Sequence, residues 1–224
     1  MPRTFGLDPK TGRAFHFPQT LSGGGWGALF DRDGQNATFC INDGDTHNTP
    51  VEAGEGKGPI FIAYRRLRED SGGPGKFRGG LGVEQEVRVV APASVQSAME
   101  RTRCAPWGLH GGKDAMANRF SIVRKDGTVQ RLPTGKTTGH VALDSGDGFL
   151  VEVGGGGGFW PPMERDPQRV LADVRSGYVS MEAARRDYSV VIRAEGRKFE
   201  IDLAATRELR GKLDTVHSHA SHHL

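Results

Sequence analysis

Glycine sets the limits on what this chain can become. It supplies 33 of the 224 residues, and it is clustered: Gly23 to Gly25, the stretch from Gly72 to Gly82, Gly111-Gly112, and the run Gly154 to Gly158. No collagen-like period runs through these clusters, and no stretch is purely Gly/Ser. Glycine at this density among Val, Phe and Leu implies tight turns and close backbone contacts, and hence a β-rich fold. Runs of this kind can also bare N–H groups toward an anion or a substrate carbonyl. The structural use, in which one backbone passes close to another at turns and crossings, is the expectation here.

The length suits one large or two small domains with a real core. The 30 basic residues are interleaved with 27 acidic ones, for a net charge of +3. The basic runs Arg65-Arg66-Leu67-Arg68 and Arg185-Arg186 are short and lack the aromatic interleaving of a nucleic-acid stripe, which argues against such a partner. Cys40 and Cys104 are far apart, so neither a disulfide framework nor a zinc spacing is indicated. The N-terminal residues show no signal-peptide core, and no apolar run is long enough to span a membrane. The cytoplasm is therefore the expected compartment.

Residues 1–36 read as an irregular leader, with Pro2, Pro18, Gly23 to Gly25 and an Asp31-Arg32-Asp33-Gly34 turn. A β-rich domain is expected over 37–160. Its strand candidates are Ala37–Ile41, Pro59–Leu67, Val83–Val90 and Gly148–Val153, the third alternating with a period of two. Phe120–Arg124 and Thr128–Leu132 flank Asp126-Gly127 as a hairpin. A small α/β segment is expected over 161–214. Asp166-Pro167 opens a helix that ends near Arg175 and Gly177, Ser180 caps a second through Arg186, and Asp202 caps a third through Leu213. Two strands, Tyr188–Arg193 and Lys198–Asp202, should flank Glu195-Gly196. Residues 215–224, with His217, His219, His222 and His223, are expected to be a disordered tail. The fold class is thus α+β: β-rich, glycine-dense mixed sheets with a C-terminal segment of two or three short helices.

Phosphate-loop chemistry is excluded. Gly135-Lys136-Thr137 lacks the earlier glycine, since Gln130 stands there, and no helix signal follows. Asp43, Asp45, His47 and Glu52 gather carboxylates and an imidazole within ten residues. These are acid–base or metal-ligand types, although turn chemistry accounts equally well for Asp43-Gly44-Asp45. His110 in Trp107-Gly108-Leu109-His110-Gly111-Gly112 is a further candidate. No nucleophile–base pair emerges from spacing.

Several ordered segments together resemble the hydantoinase B/oxoprolinase family. They are Asp43-Gly44-Asp45-Thr46-His47-Asn48-Thr49-Pro50-Val51-Glu52, the glycine-rich Arg68 to Gly82, Ala105 to Gly112, Gly154 to Gly158, Arg165 to Val170, Asp173 to Gly177, Glu182 to Arg185 and Asp202 to Arg210. The resemblance covers about residues 20–213 and corresponds to the C-terminal half of a B-type subunit. It implies a hydrolase that opens hydantoin or 5-oxoproline rings at the expense of ATP. ATP and Mg would sit on a hydantoinase A-type subunit. A divalent metal would sit in an N-terminal B-type chain, and the substrate would be a small cyclic amide. No metal ligand or cofactor is placed on this chain, and no nucleic acid or membrane is implied. Asp45, His47, Asn48, Glu52 and His110 are the candidate catalytic residues. An acetone- or acetophenone-type ketone carboxylase fragment and a non-catalytic assembly module are the alternatives.

Overall fold

The computed structural model describes residues 2–18, 23–39, 50–196 and 198–220. Two antiparallel sheets carry the first two thirds of the chain. One has five strands in the order β3 (Ile60–Leu67), β4 (Val83–Val89), β9 (Gly148–Glu152), β6 (Arg119–Val123) and β7 (Val129–Arg131). The other has four, β2 (Ala14–Pro18), β1 (Arg3–Leu7), β5 (Ala93–Gln96) and β8 (Val141–Leu143). The α+β class expected from the sequence is what the chain adopts.

The alternation read in Val83 to Val90 is the burial pattern of β4. Val83, Gln85, Val87 and Val89 turn inward while the residues between them are half-buried. The core of this region draws on both sheets: Val87, Val89, Phe120, Ile122 and Phe149 from one, Phe15, Phe17, Val95 and Leu143 from the other. Each such side chain, fully buried, contributes on the order of 1.5–3 kcal/mol before ordering costs. The β6–β7 hairpin forms as expected, with Gly127 supplying the positive φ of 89° in its turn.

The leader is not irregular. Residues 3–7 and 14–18 form β1 and β2, joined by a turn in which Asp8 accepts from the Lys10 N–H at 3.0 Å and Gly12 takes φ 64°. Its stability comes from β5, which pairs with β1 from Arg3↔Gln96 to Gly6↔Ala93. Ala37 to Ile41 is a correction in the other direction. Ala37 has φ 51°, Thr38 makes only an isolated bridge to Gly24, and Cys40 and Ile41 lie outside the described residues. A short helix, α1 (Val51–Glu55), precedes β3, and the Ile62 N–H donates to Glu55 at 2.9 Å.

The C-terminal unit has its own core. α2 (Pro167–Arg175) starts with the Asp166 side chain accepting from Gln168, and α3 (Met181–Tyr188) with Ser180 accepting from Ala183. These caps each stabilise by about 1 kcal/mol. Their apolar faces, Val170, Leu171, Val174, Ala183, Ala184 and Tyr188, pack together. Tyr188 therefore belongs to α3 rather than to a strand, and Ser189 at φ 52° ends the helix. The following strand starts at Ile192, as β10 (Ile192–Glu195), and pairs with β11 (Lys198–Ile201). α4 runs Leu203–Ala220, past Leu213 and into residues expected to be a tail.

A buried charge cluster joins this unit to the rest. Arg165, 2% exposed, holds Asp33 through both terminal nitrogens at 2.7 and 2.9 Å and Asp173 at 2.8 and 3.0 Å. Arg169 adds a contact to Asp33 at 2.9 Å, and the Arg78 N–H donates to Asp33 at 2.7 Å. Burial pushes the Asp33 carboxyl up, but the Arg165 hydrogen bonds and charge outweigh it and hold the group below its usual range. The fork of Arg165 satisfies carboxylates from two distant parts of the chain, as paired burial of charge requires.

Candidate functional site

The glycine clusters meet in one place. Segments 24–28, 72–82, 108–113 and 154–159 lie side by side and are cross-linked backbone to backbone. Gly156 donates to Gly80 at 2.9 Å, Gly80 to Trp26 at 2.8 Å, Gly73 to Gly156 at 2.8 Å, and Gly158 to Lys113 at 3.0 Å. A Cβ built on Gly156 would lie on the Trp26 carbonyl, and one on Gly79 would lie on Gly156 itself. These segments are packed without side chains, because the carbonyl of one occupies the place a methyl would need. The N–H groups named here are committed to carbonyls, which supports the structural use of the runs over anion binding.

Beside this bundle lies a cleft of about 590 Å³. It is lined by Gly24 to Gly27, Arg101, Pro106, Trp107, Asn118, Val153 and Gly154 to Gly157. Asn118 is fixed from three sides: Gly154 donates to its side-chain oxygen at 2.6 Å, its amide donates to the Glu100 carbonyl at 2.8 Å, and its N–H donates to the Arg101 carbonyl at 3.1 Å. The Arg101 guanidinium stands 5.9 Å from the Trp107 ring centroid. A cation, two indoles and an amide oriented by its own hydrogen bonds can hold a flat, polar ring with a carbonyl oxygen.

Trp107, Gly24, Gly25 and Gly154 to Gly157 fall in segments that the sequence singles out, and Trp26 directly follows one of them. Arg101 and Asn118 do not. Arg101 sits at φ 49°, a conformation that carries no signal in an arginine codon's neighbours, and Asn118 gains meaning only through its distant partners. Among the earlier candidates, Asp45, His47 and Asn48 lie outside the described residues. Glu52 is exposed on α1, whose Gly54 packs against Phe17. His110, at φ 49°, lies on the bundle with its ring 4.9 Å from Phe159 and 5.0 Å from Trp160. Glu52 and His110 thus rest on different elements.

Among the described residues, no three His, Cys, Asp or Glu side chains come together as a group able to hold a metal. Gly135-Lys136-Thr137 lies beside β5, with a bridge from Lys136 to Ala98, and the next element is the strand β8. No helix among the described residues is long and apolar enough to cross a membrane.

Comparison with known proteins identifies relatives of this chain. Residues 2–162 match the model of the Hydantoinase B/oxoprolinase family. The match takes in the leader, which resemblance by motif leaves out. An uncharacterized protein of Methanocaldococcus jannaschii is 36% identical over 201 residues, covering 89% of this chain and 34% of that protein. Caprolactamase subunit beta of Pseudomonas jessenii is 32% identical over 158 residues, covering 68% of this chain and 26% of the relative. Among solved structures, a chain of ATP-dependent caprolactamase from P. jessenii superposes with a TM-score of 0.77 at 27% identity, covering 94% of this chain and 37% of its own. A chain of nucleotide-free acetone carboxylase gives 0.84 at 23% identity, covering 100% of this chain and 33% of its own, a likeness of fold. The chain thus spans about a third or less of the proteins it matches.

Proposed function

This chain belongs to the hydantoinase B/oxoprolinase family, and on that premise we propose that it forms part of an ATP-dependent enzyme that opens a cyclic amide. The observation that carries the reading is the family match over residues 2–162, joined by the 32% identity to a caprolactamase subunit. Caprolactam, 5-oxoproline and hydantoin share an amide carbonyl closed into a ring. That carbonyl is a poor electrophile. Transfer of the γ-phosphoryl group of ATP to its oxygen leaves ADP and an activated carbon. Water adds there, the C–N bond breaks with a proton passing to nitrogen, and a second water releases inorganic phosphate from the resulting acyl phosphate.

In this proposal ATP and Mg bind a hydantoinase A-type subunit, and a divalent metal binds an N-terminal B-type chain. The present chain supplies a wall of the substrate site. The cleft of Arg101, Trp107 and Asn118 suits a flat lactam ring and its carbonyl oxygen. Asp45, His47, Asn48, Glu52 and His110 are proposed to act on the substrate from this chain, all but Asn48 being acid–base types. A ketone carboxylase is the second reading, favoured by 28% identity over 225 residues to the acetone carboxylase alpha subunit of Xanthobacter autotrophicus.

The test is reconstitution with an A-type subunit and an N-terminal B-type chain. Lactam-dependent release of ADP and the ring-opened acid is expected, lost in His47→Ala or Glu52→Ala while the assembly persists. ATP use that requires bicarbonate and a ketone would replace the hydrolase with the carboxylase. If both substitutions leave turnover unchanged, these residues have no part in the chemistry.

A further inference from the structure

A glycine has no side chain, so where it lines a cleft it presents only peptide atoms. Along the cleft beside the bundle, Gly25 donates to the Gly154 carbonyl at 3.1 Å, Gly154 to the Asn118 side chain at 2.6 Å, and Gly156 to the Gly80 carbonyl at 2.9 Å. Gly155 and Gly157 differ from these. Both are buried and both line the cleft, yet the N–H of neither donates to any described residue. The Gly157 carbonyl is already taken by the Ala28 N–H at 2.9 Å, so its N–H is the polar group it has left. The Gly24 and Gly27 N–H groups are also without an acceptor among the described residues, but these two glycines are less buried. Buried N–H groups are almost always paired, so two orphans in one run call for an acceptor brought from outside the chain.

Charge gives a second, independent indication. Arg101 is the one charged residue among those lining the cleft. Its guanidinium rests 5.9 Å from the Trp107 ring centroid and pairs with no carboxylate among the described residues. The acids nearby in sequence are engaged elsewhere: Glu100 holds Lys136 at 2.8 Å, and Asp114 accepts from the Gly108 N–H at 2.9 Å. The lining therefore offers a cation and unused donors, and no acid. That is the complement of a negative charge carried on oxygen.

We propose that the Gly155 and Gly157 N–H groups and the Arg101 guanidinium together bind an anionic oxygen group on the substrate. The assignment rests on the reading given under Proposed function and deepens it. On that reading the group is the phosphoryl formed on the amide oxygen or a carboxylate carried by the ring, and both present oxygens to N–H donors in the same way. The two glycines are held in place by close packing: a Cβ on Gly157 would stand 1.9 Å from the Trp107 carbonyl oxygen, and one on Gly155 2.1 Å from that of Ser71. Donors fixed in this manner stabilise charge without first having to turn toward it.

The test is amide NMR on the full, isotope-labelled chain, titrated separately with inorganic phosphate, 5-oxoproline and caprolactam. The Gly155 and Gly157 N–H resonances are expected to move downfield and saturate with an anion, while those of Gly156 and Gly158, already bonded to Gly80 and Lys113, hold still. Neutral caprolactam should move neither pair. Arg101→Gln should weaken anion binding about tenfold, and Lys125→Gln, on the exposed β6–β7 turn, should leave it unchanged. Thermal melting of each variant checks that the fold is intact. A response to phosphate alone assigns the site to the phosphoryl group, and one to 5-oxoproline alone to the ring carboxylate. No movement at about 10 mM of either anion would overturn the site, as would binding that Arg101→Gln leaves unweakened, the mark of an adventitious ion only. Anion binding at these two glycines without lactam-dependent ATP use on reconstitution would leave the site standing and remove the hydrolase reading instead.

Discussion

Gly75→Ala isolates what the glycine bundle contributes. The added methyl would stand 2.5 Å from the Phe77 carbonyl oxygen and 2.6 and 2.7 Å from the backbone nitrogen and oxygen of Phe159, where ordinary contact begins near 3.4 Å. Those atoms are not free to retreat independently. Phe77 and Phe159 exchange hydrogen bonds at 3.1 and 3.0 Å, and Lys76 donates to Trp160 at 3.2 Å. Relieving the clash means lengthening or losing some of these bonds, each worth about 0.5–1.5 kcal/mol net. Alternatively the strain is spread through the bundle at a cost of about 1–3 kcal/mol. Either route gives a destabilisation of about 3 kcal/mol, which for a chain of this size lowers the melting temperature by roughly 6–12 °C. Gly211→Ala is the control: it lies in α4 with nothing near its Cβ position, and it should be neutral or stabilise by up to about 1 kcal/mol. Urea unfolding followed by tryptophan fluorescence is well placed, because Trp26, Trp107 and Trp160 all sit on the bundle. A loss below about 1 kcal/mol for Gly75→Ala would show that these backbones part easily, and the reasoning from close approach would be wrong.

Three further outcomes follow from the described contacts. Arg165→Met should cost about 3 kcal/mol, because it removes the guanidinium shared by Asp33 and Asp173 and leaves Asp33 only Arg169 and the Arg78 N–H; chemical denaturation measures it. Asp33, held below its ordinary 3.8 by the folded state, contributes stability that is present above that value and is lost as pH falls below it, so Asp33→Asn should be less stable at pH 7 yet show a flatter acid limb below pH 3.8. Ser180→Ala removes the acceptor of the Ala183 N–H and should destabilise by about 1 kcal/mol in the same assay, a loss that Ser180→Asp should largely restore.

How much of this was legible differs by element, for physical reasons. Val83 to Val90, the Asp126-Gly127 hairpin and the Asp166 and Ser180 caps are written in residues a few positions apart, and period or cap chemistry reads them directly. β1 and β8 are not, because each is a short segment whose strand character depends on pairing with β5 across long separations in sequence. Tyr188 looked like a strand residue because aromatic residues favour sheets, and its burial against α2 decided otherwise. The glycine runs announced close backbone approach but not which runs would meet. Of the site, Trp107 and His110 could be singled out from their motif. Arg101 and Asn118 owe their place to a left-handed turn and to bonds reaching Gly154 and Glu100, neither of which has a local signature.

A lattice of peptide groups also ages differently under mutation from the valine and phenylalanine layer between the sheets. There, Leu143 can exchange for methionine of similar volume at a cost below about 1.5 kcal/mol, because side chains have rotamers to exchange. Where Gly79, Gly80 and Gly156 touch, there is no rotamer to change and no smaller residue to retreat to. Drift in such a region has only one direction, toward bulk, and every step along it collides with another part of the main chain.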